Sequence, residues 1–415
     1  MVGGIRHYEM RKRNRALVIS AVRKAGQCSR TQIARLTDLS QSTISAIASD
    51  LLDEKIMRQA GQGEATPARR GRPQVAIELN PEAASAVCVY LSFNNLSAAL
   101  VDYCGRVIER QDTRLSTLDV GQRELMDLAA STIRSLIGNR DNVLRVVLAV
   151  QGITDSDGHE LLWSPITPHN HVPFGPALEE IFGLPVIVQN DCNMIAAALR
   201  WHDPQRYGDN FAAILLSDGI GMGLMLNGRL FTGTHSSGGE FGHMIHEPNG
   251  ALCRCGRQGC IEAYAGTYAI WRKAHGRSPM EEPVADTEPE HMGALARCAR
   301  SGDERALEAF NEAGQAIGFG IGSLFALVDP APIVIVGQGT TAMDILEPAI
   351  RRALARTAGG QDAVDIPIET EREEIPLVQH GCAMTALTGI DNDIFGPAQR
   401  AETNAARSVT RKSVA

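Results

Sequence analysis

Residues 238–260 read GGEFGHMIHEPNGALCRCGRQGC, which sets His243 ten residues ahead of Cys253 and puts Cys253, Cys255 and Cys260 in a Cys-x-Cys-x4-Cys run. Such a set could form disulfides, hold a metal ion or supply a nucleophilic thiol. The chain has nine cysteines, and the other six, Cys28, Cys88, Cys104, Cys192, Cys298 and Cys382, are scattered singly. An odd, scattered set does not match the paired framework of a disulfide-stapled secreted domain. A catalytic thiol calls for a dedicated cationic activator. Three thiolates and one imidazole, in contrast, complete a tetrahedral set for one Zn2+ per chain. With all four positions filled, that ion would hold a loop and leave no position open for chemistry. Pinning the loop to His243 would also fix Glu240 and Glu262 relative to each other, and carboxylates held in a cleft suit the hydroxyls of a polyol.

These residues lie in a chain of 415 residues, beyond the roughly 250–300 at which a single core stops growing, so two or three domains are expected. Residues 1–80 hold 14 Lys+Arg against 7 Asp+Glu, a net +7, which leaves 26 against 41, or −15, for residues 81–415. A basic head on an acidic body points to a head that meets a polyanion. No apolar run reaches the ~18–20 residues of a membrane helix, and the basic start lacks the apolar stretch of a secretory signal, so a cytoplasmic location without membrane contact is expected.

In the head, Leu17, Val18, Ala21 and Val22 recur at helical spacing before Gly26. Ser29 and Gln32 form a capping-box pattern for a short second helix that breaks near Asp38, and Ser40 caps a third. Ile44, Ile47, Ala48 and Leu51 of this third helix face inward, which leaves Gln41, Ser42, Ser45 and Ser49 as a small uncharged polar face with Thr43 beside it. A helix-turn-helix sets such a face against base edges, where Gln bonds adenine and Ser or Thr bonds several bases. The Gly/Pro-rich stretch that follows carries Arg69, Arg70 and Arg72 and runs into alternating Val75, Ile77 and Leu79. It reads as a wing and linker whose arginines hold phosphates or enter the minor groove.

From residue 81 onward, strand-like runs such as AVCVYL, LRVVLAV, LPVIVQ, FAAILL and PIVIVG alternate with helical stretches at 121–137, 193–201, 262–275, 305–328 and 342–357. This is α/β organisation around a mainly parallel or mixed sheet. Residues 276–295 read as a charged insertion and 393–415 as a disordered tail, giving a head over 1–80 and a body over 81–392.

SDGIGMGLMLNGRLFTGTHSSGGEFGHM followed by CRCGRQGCIEAYAG resembles the signature of the ROK family, which joins sugar-responsive repressors and sugar kinases. The resemblance extends over about residues 84–392, and the N-terminal helix-turn-helix with RRGRP is similar to the repressor branch. It implies a two-lobed actin-like, sugar-kinase-like fold behind a winged helix-turn-helix, zinc ligands His243, Cys253, Cys255 and Cys260, and sugar contacts from Asn190, Asp191, Glu240, His243 and Glu262. The position of Asp191 is that of the catalytic base in the kinases. A carboxylate that accepts a hydroxyl's hydrogen bond serves a sensor equally well.

Two departures decide what the resemblance implies. The kinases open the first lobe with an Asp-x-Gly-Gly-Thr turn that holds phosphate and its metal ion, and here Tyr90 to Asn94, YLSFN, stand in its place. No catalytic residue is therefore assigned. At the position of a sugar-contacting asparagine the chain has Ile166, within PITPHNH, where His169, Asn170 or His171 could substitute. The expected protein is a cytoplasmic homodimer or homotetramer that represses carbohydrate genes, binds an inverted-repeat operator and is released by sugar. The alternative is an ATP-dependent ROK sugar kinase with an appended DNA-binding head.

Overall fold

The computed structural model describes residues 2–60, 75–234, 236–283, 289–363 and 365–396. Helix Val2–Ala25 ends at Gly26, whose φ of 71° is the left-handed stop that glycine favours. Helix Arg30–Thr37 opens with a complete capping box: the Ser29 side chain accepts from the Gln32 N–H, and the Gln32 side chain accepts from the Ser29 N–H. Helix Gln41–Asp53 starts at Ser40 and buries Ile44, Ile47, Ala48 and Leu51. Strand Ile77–Leu79 pairs antiparallel with both Met57–Gln59 and Gln27–Cys28. Ile77 and Leu79 point into the head, whereas Val75 is exposed. Arg69, Arg70 and Arg72 lie outside the described residues.

The body has two lobes built on one repeated topology. In the first, Ser85–Ser92, Asn95–Asp102 and Val107–Arg114 form an antiparallel meander, and Val143–Val150 and Val186–Asn190 extend it in parallel from Ser85–Ser92. In the second, Phe211–Leu216, Ile220–Leu226 and Arg229–Phe231 form the meander, with Ile333–Val336 and Ile368–Glu371 added in parallel to Phe211–Leu216. The central strands are covered on both faces, so they read as uninterrupted apolar runs. Val107–Arg114, VIERQDTR, is an exposed outer strand whose sequence has no apolar alternation to announce it.

The expected helices occur as Gln122–Ile137, Asp191–His202, Glu304–Val328 and Met343–Leu354. The stretch expected as one helix over 262–275 is broken at Gly266 into Glu262–Ala265 and Thr267–Ala274. The charged segment 276–295 is not wholly an insertion, because it runs into helix Pro289–Arg300, whose first position tolerates proline. The boundary placed at residue 393 also moves: Ile390–Ile394 forms a π turn after helix Glu374–Gly389.

That turn helps to dock the head. The Arg23 guanidinium donates to both oxygens of Asp391, at 2.5 and 3.0 Å, and the Tyr103 hydroxyl donates to the same carboxylate at 2.5 Å. Arg15 pairs with Glu54 within the head and donates to the Phe395 carbonyl at 2.6 Å, and Arg145 reaches Asp393 at 2.8 Å. Val18, Ile19, Val22, Ile44 and Leu79 share one apolar core with Tyr103, Met384, Leu387 and Ile390. Asn80 caps the short turn Pro81–Ala83, which passes straight into Ser85–Ser92, so no free linker separates strand Ile77–Leu79 from the body.

Candidate functional site

Asp191 is placed by a strand that stops where a helix starts. Strand Val186–Asn190 lies at the edge of the first-lobe sheet, and Asn190 caps helix Asp191–His202 by accepting from the Asn193 N–H at 3.0 Å. The other end of the Asn190 amide donates to the Gly152 carbonyl at 2.9 Å, so both polar atoms of this side chain fix backbone. The helix lies close against strand Ile220–Leu226, where a Cβ on Gly221 or Gly223 would run into Cys192. Gly219 makes the turn before that strand, and the glycine-rich run thus serves packing.

The Asp191 side chain is 1% exposed. It accepts from the Cys192 N–H at 2.9 Å and from the Tyr90 hydroxyl at 3.1 Å. Burial pushes its carboxyl up to about 6, against the opposing pull of these donors.

Asp191 faces a pocket with about 40 Å3 of free space, enough for a few water molecules. Asn190, Glu240, His243 and Glu262 line the same pocket, so all five residues expected to contact sugar converge. Glu262 is buried and already engaged: one oxygen accepts from the Ile220 N–H at 3.1 Å, and the other lies 3.4 Å from both the Tyr268 hydroxyl and Cys253 Sγ. Gln151 and Trp163, which also line the pocket, were not singled out from sequence. Trp163 meets the His243 ring edge to face at 5.7 Å, which brings the two lobes together at the pocket. Gln151 lies in a bend just after strand Val143–Val150 and Trp163 ends the short strand Leu161–Trp163, and neither stretch carries a sequence motif.

The substitutes considered for the missing asparagine do not reach the pocket lining. Ile166 is fully buried in the first-lobe core, His169 Nε2 lies 2.9 Å from the Val120 carbonyl, and His171 Nδ1 lies 3.8 Å from Glu160.

The ligand atoms of His243, Cys253, Cys255 and Cys260 all lie within 4.8 Å of one another. Cys253 Sγ is 3.8 Å from His243 Nδ1, and Cys255 Sγ is 3.8 Å from Cys260 Sγ, close to the edge of about 3.8 Å for a tetrahedron of sulfurs around zinc. The Cys255 thiol is held well below the usual range by the Cys253 and Cys260 thiols that donate to it, and Cys253 is pushed up by the same contacts. The donor set therefore fits a structural zinc ion, with His243 Nε2 directed to the Glu240 side, 4.0 Å from its carboxylate.

In the head, Gln41, Ser42, Ser45 and Ser49 are exposed on helix Gln41–Asp53. Thr43 differs from the rest of that group: it is half-buried and its hydroxyl is 2.8 Å from Ser40 Oγ, within the helix cap. Ser42 Oγ is 2.9 Å from the same Ser40 oxygen.

A family model described as "ROK family" matches residues 86–374. The putative xylose repressor of Caldicellulosiruptor sp. (strain Rt8B.4) is 24% identical over 404 residues, covering 94% of this chain and 98% of that protein. A crystal structure of a ROK family transcriptional regulator, a homologue of the E. coli MLC protein, superposes with a TM-score of 0.71 at 24% identity, covering 91% of this chain and 99% of the other. A ROK family glucokinase from Streptomyces griseus, in complex with glucose and AMPPNP, superposes with a TM-score of 0.58 at 24% identity, covering 73% of this chain and 99% of the kinase. At this level of identity the structural likenesses establish the two-lobed, actin-like fold.

Proposed function

The chain belongs to the ROK family, and we propose that it acts there as a sugar-responsive repressor of transcription. The observation that carries this reading is the join between its two ends: a head presenting Gln41, Ser42 and Ser45 outward shares a core with the lobe that holds Asp191. Three helices and the three-stranded antiparallel sheet suit a winged helix-turn-helix, in which helix Gln41–Asp53 enters the major groove. Paired heads in a homodimer or homotetramer would read an inverted repeat. Arg69, Arg70 and Arg72 are proposed to add phosphate or minor-groove contacts.

The effector is proposed to be a sugar. Among the described residues, the pocket lining holds Asp191, Glu240 and Glu262 and no Lys or Arg, a composition suited to hydroxyls and hostile to a phosphoryl dianion. Zinc, one per chain, would be held by His243, Cys253, Cys255 and Cys260 and supply a fixed cross-link of the loop. The imidazole then keeps Nε2 for Glu240 or a sugar hydroxyl. Nine free cysteines suit a reducing cytoplasm, and no helix among the described residues is long and apolar enough to cross a membrane.

The kinase alternative draws on Asp191, which is retained, and on a cleft of about 530 Å3 beside Tyr90 and Phe93. Arg110 and Arg114 line that cleft alongside Asp112, Asp218, Glu373 and Glu374, so its charge is mixed. What favours a sensor without phosphoryl transfer is Phe93, which stands where backbone would have to approach phosphate. Footprinting on DNA upstream of carbohydrate genes, with D-xylose, D-glucose and N-acetyl-D-glucosamine added in turn, tests the proposal. A symmetric footprint lost with one sugar supports it, and sequence-independent binding that ignores all three removes it.

A further inference from the structure

Residue 93 lies at the tip of the hairpin between strands Ser85–Ser92 and Asn95–Asp102 of the first lobe, and Arg254 lies between two of the clustered thiols of the second. The Arg254 guanidinium carbon is 4.3 Å from the Phe93 ring centroid and 4.9 Å from that of Tyr268. One planar cation thus meets two rings that belong to opposite lobes. Its own backbone is held to the second lobe, because the Arg254 N–H donates to the Tyr268 hydroxyl at 3.2 Å. On the other side, the Phe93 N–H donates at 3.2 Å to the side-chain oxygen of Gln151, a residue of the sugar pocket. The Phe93 ring is 7% exposed although it lies at a hairpin tip beside an open cleft, and such a ring needs a partner on its solvent side.

We propose that Arg254 and Phe93 form a latch across the cleft that holds the two lobes together over the sugar pocket and makes closure depend on the integrity of the Cys/His loop. Arg254 and Phe93 are positioning residues: Arg254 orders the hairpin, the hairpin orders Gln151, and Gln151 presents its amide to the pocket. The latch explains in physical terms what an aromatic ring does at this hairpin. The half-buried Arg254 guanidinium is attracted by the quadrupoles of both rings. It rests on the sugar-sensor reading only for its consequence on affinity, since the contact itself joins the lobes.

Hydrogen exchange followed by mass spectrometry on the full chain tests the latch without any sugar. Arg254→Met keeps the stem and removes the cation, and it should raise exchange in the segment 91–96 at least tenfold, although residue 254 is on the other lobe. Removing metal with a chelator should do the same, and Phe93→Trp, which keeps an aromatic face, should retain protection that Phe93→Leu loses. D-xylose, D-glucose and N-acetyl-D-glucosamine then serve as calorimetric probes. Whichever of them binds the unmodified protein should bind Arg254→Met about tenfold more weakly, mostly through faster release. Unchanged exchange over 91–96 in Arg254→Met would overturn the latch even if sugar binds well. A hairpin that opens as expected in a protein that binds none of the three sugars would uphold the latch and count against the sugar-sensor reading.

Discussion

Replacing Asp391 should undock the head from the body. Its carboxylate accepts two bonds from Arg23 and one from Tyr103, and the Arg23 and Asp391 side chains are 3% and 4% exposed. Asp391→Ala leaves a guanidinium buried without its counter-charge, a change that costs about 3–5 kcal/mol, whereas removing both charges together costs far less. With a urea dependence of about 2 kcal/mol per molar, a loss of about 4 kcal/mol lowers the midpoint by about 2 M. Trp201 is a natural reporter, because Lys24 of the head lies 4.8 Å from its ring centroid. Urea titration followed by Trp201 fluorescence, in a chain with Trp163→Phe and Trp271→Phe, should show an early head-release step in Asp391→Ala. Arg23→Met combined with Asp391→Leu should recover at least half of the lost stability. A midpoint within 0.5 M of the parent, or a double variant as unstable as the sum of the singles, would refute the reasoning. In the undocked protein, operator and sugar should each still bind, but sugar should no longer change operator affinity.

Elemental analysis of purified protein should find about one zinc per chain, and Cys255→Ser should lose it together with any response to sugar. Asp191, pushed up to about 6 by burial, is protonated in acid, so calorimetric sugar affinity should rise between about pH 5 and 7, a dependence that Asp191→Asn should abolish. The same raised value means that the folded chain binds this proton more tightly than the unfolded chain, so the contribution of Asp191 to stability is present below its ordinary value and lost as pH rises through about 6. A coupled assay should detect no sugar-dependent ATP hydrolysis, and turnover near one per second would restore the kinase alternative. Gln41→Ala should change which operator positions are preferred in a selection experiment, whereas removing Arg69, Arg70 and Arg72 together should weaken binding to all sequences and flatten the salt dependence.

The parts of this protein that were legible in sequence are those governed by short-range rules. Ser29 with Gln32 fixes a helix start within four residues, and His243 with three cysteines fixes a donor set by chemistry alone, so both were readable without any fold. Doubly covered strands such as Ser85–Ser92 were readable because nothing polar interrupts them. Val107–Arg114 was not, since its register comes from Asn95–Asp102 rather than from its own pattern. Gln151 and Trp163 reach the pocket by tertiary placement, and no local signal marks them. The docking of the head was hidden for the same reason: Arg23 and Asp391 are 368 residues apart, and neither sits in a motif.

The shared core of head and body bears on how such regulators can be recombined. A DNA-reading head joined by a loose tether could be exchanged between proteins at the tether. Here a cut near residue 80 would expose the faces of Tyr103, Met384, Leu387 and Ile390 that Val18, Ile19 and Val22 now cover, and would leave Asp391 without its guanidinium. A chimera with a different head would inherit an apolar scar and a stranded buried acid, and would tend to aggregate before it could bind anything. The unit that holds together is the head with Tyr103 and the segment 384–396, residues from distant parts of the chain that form one piece.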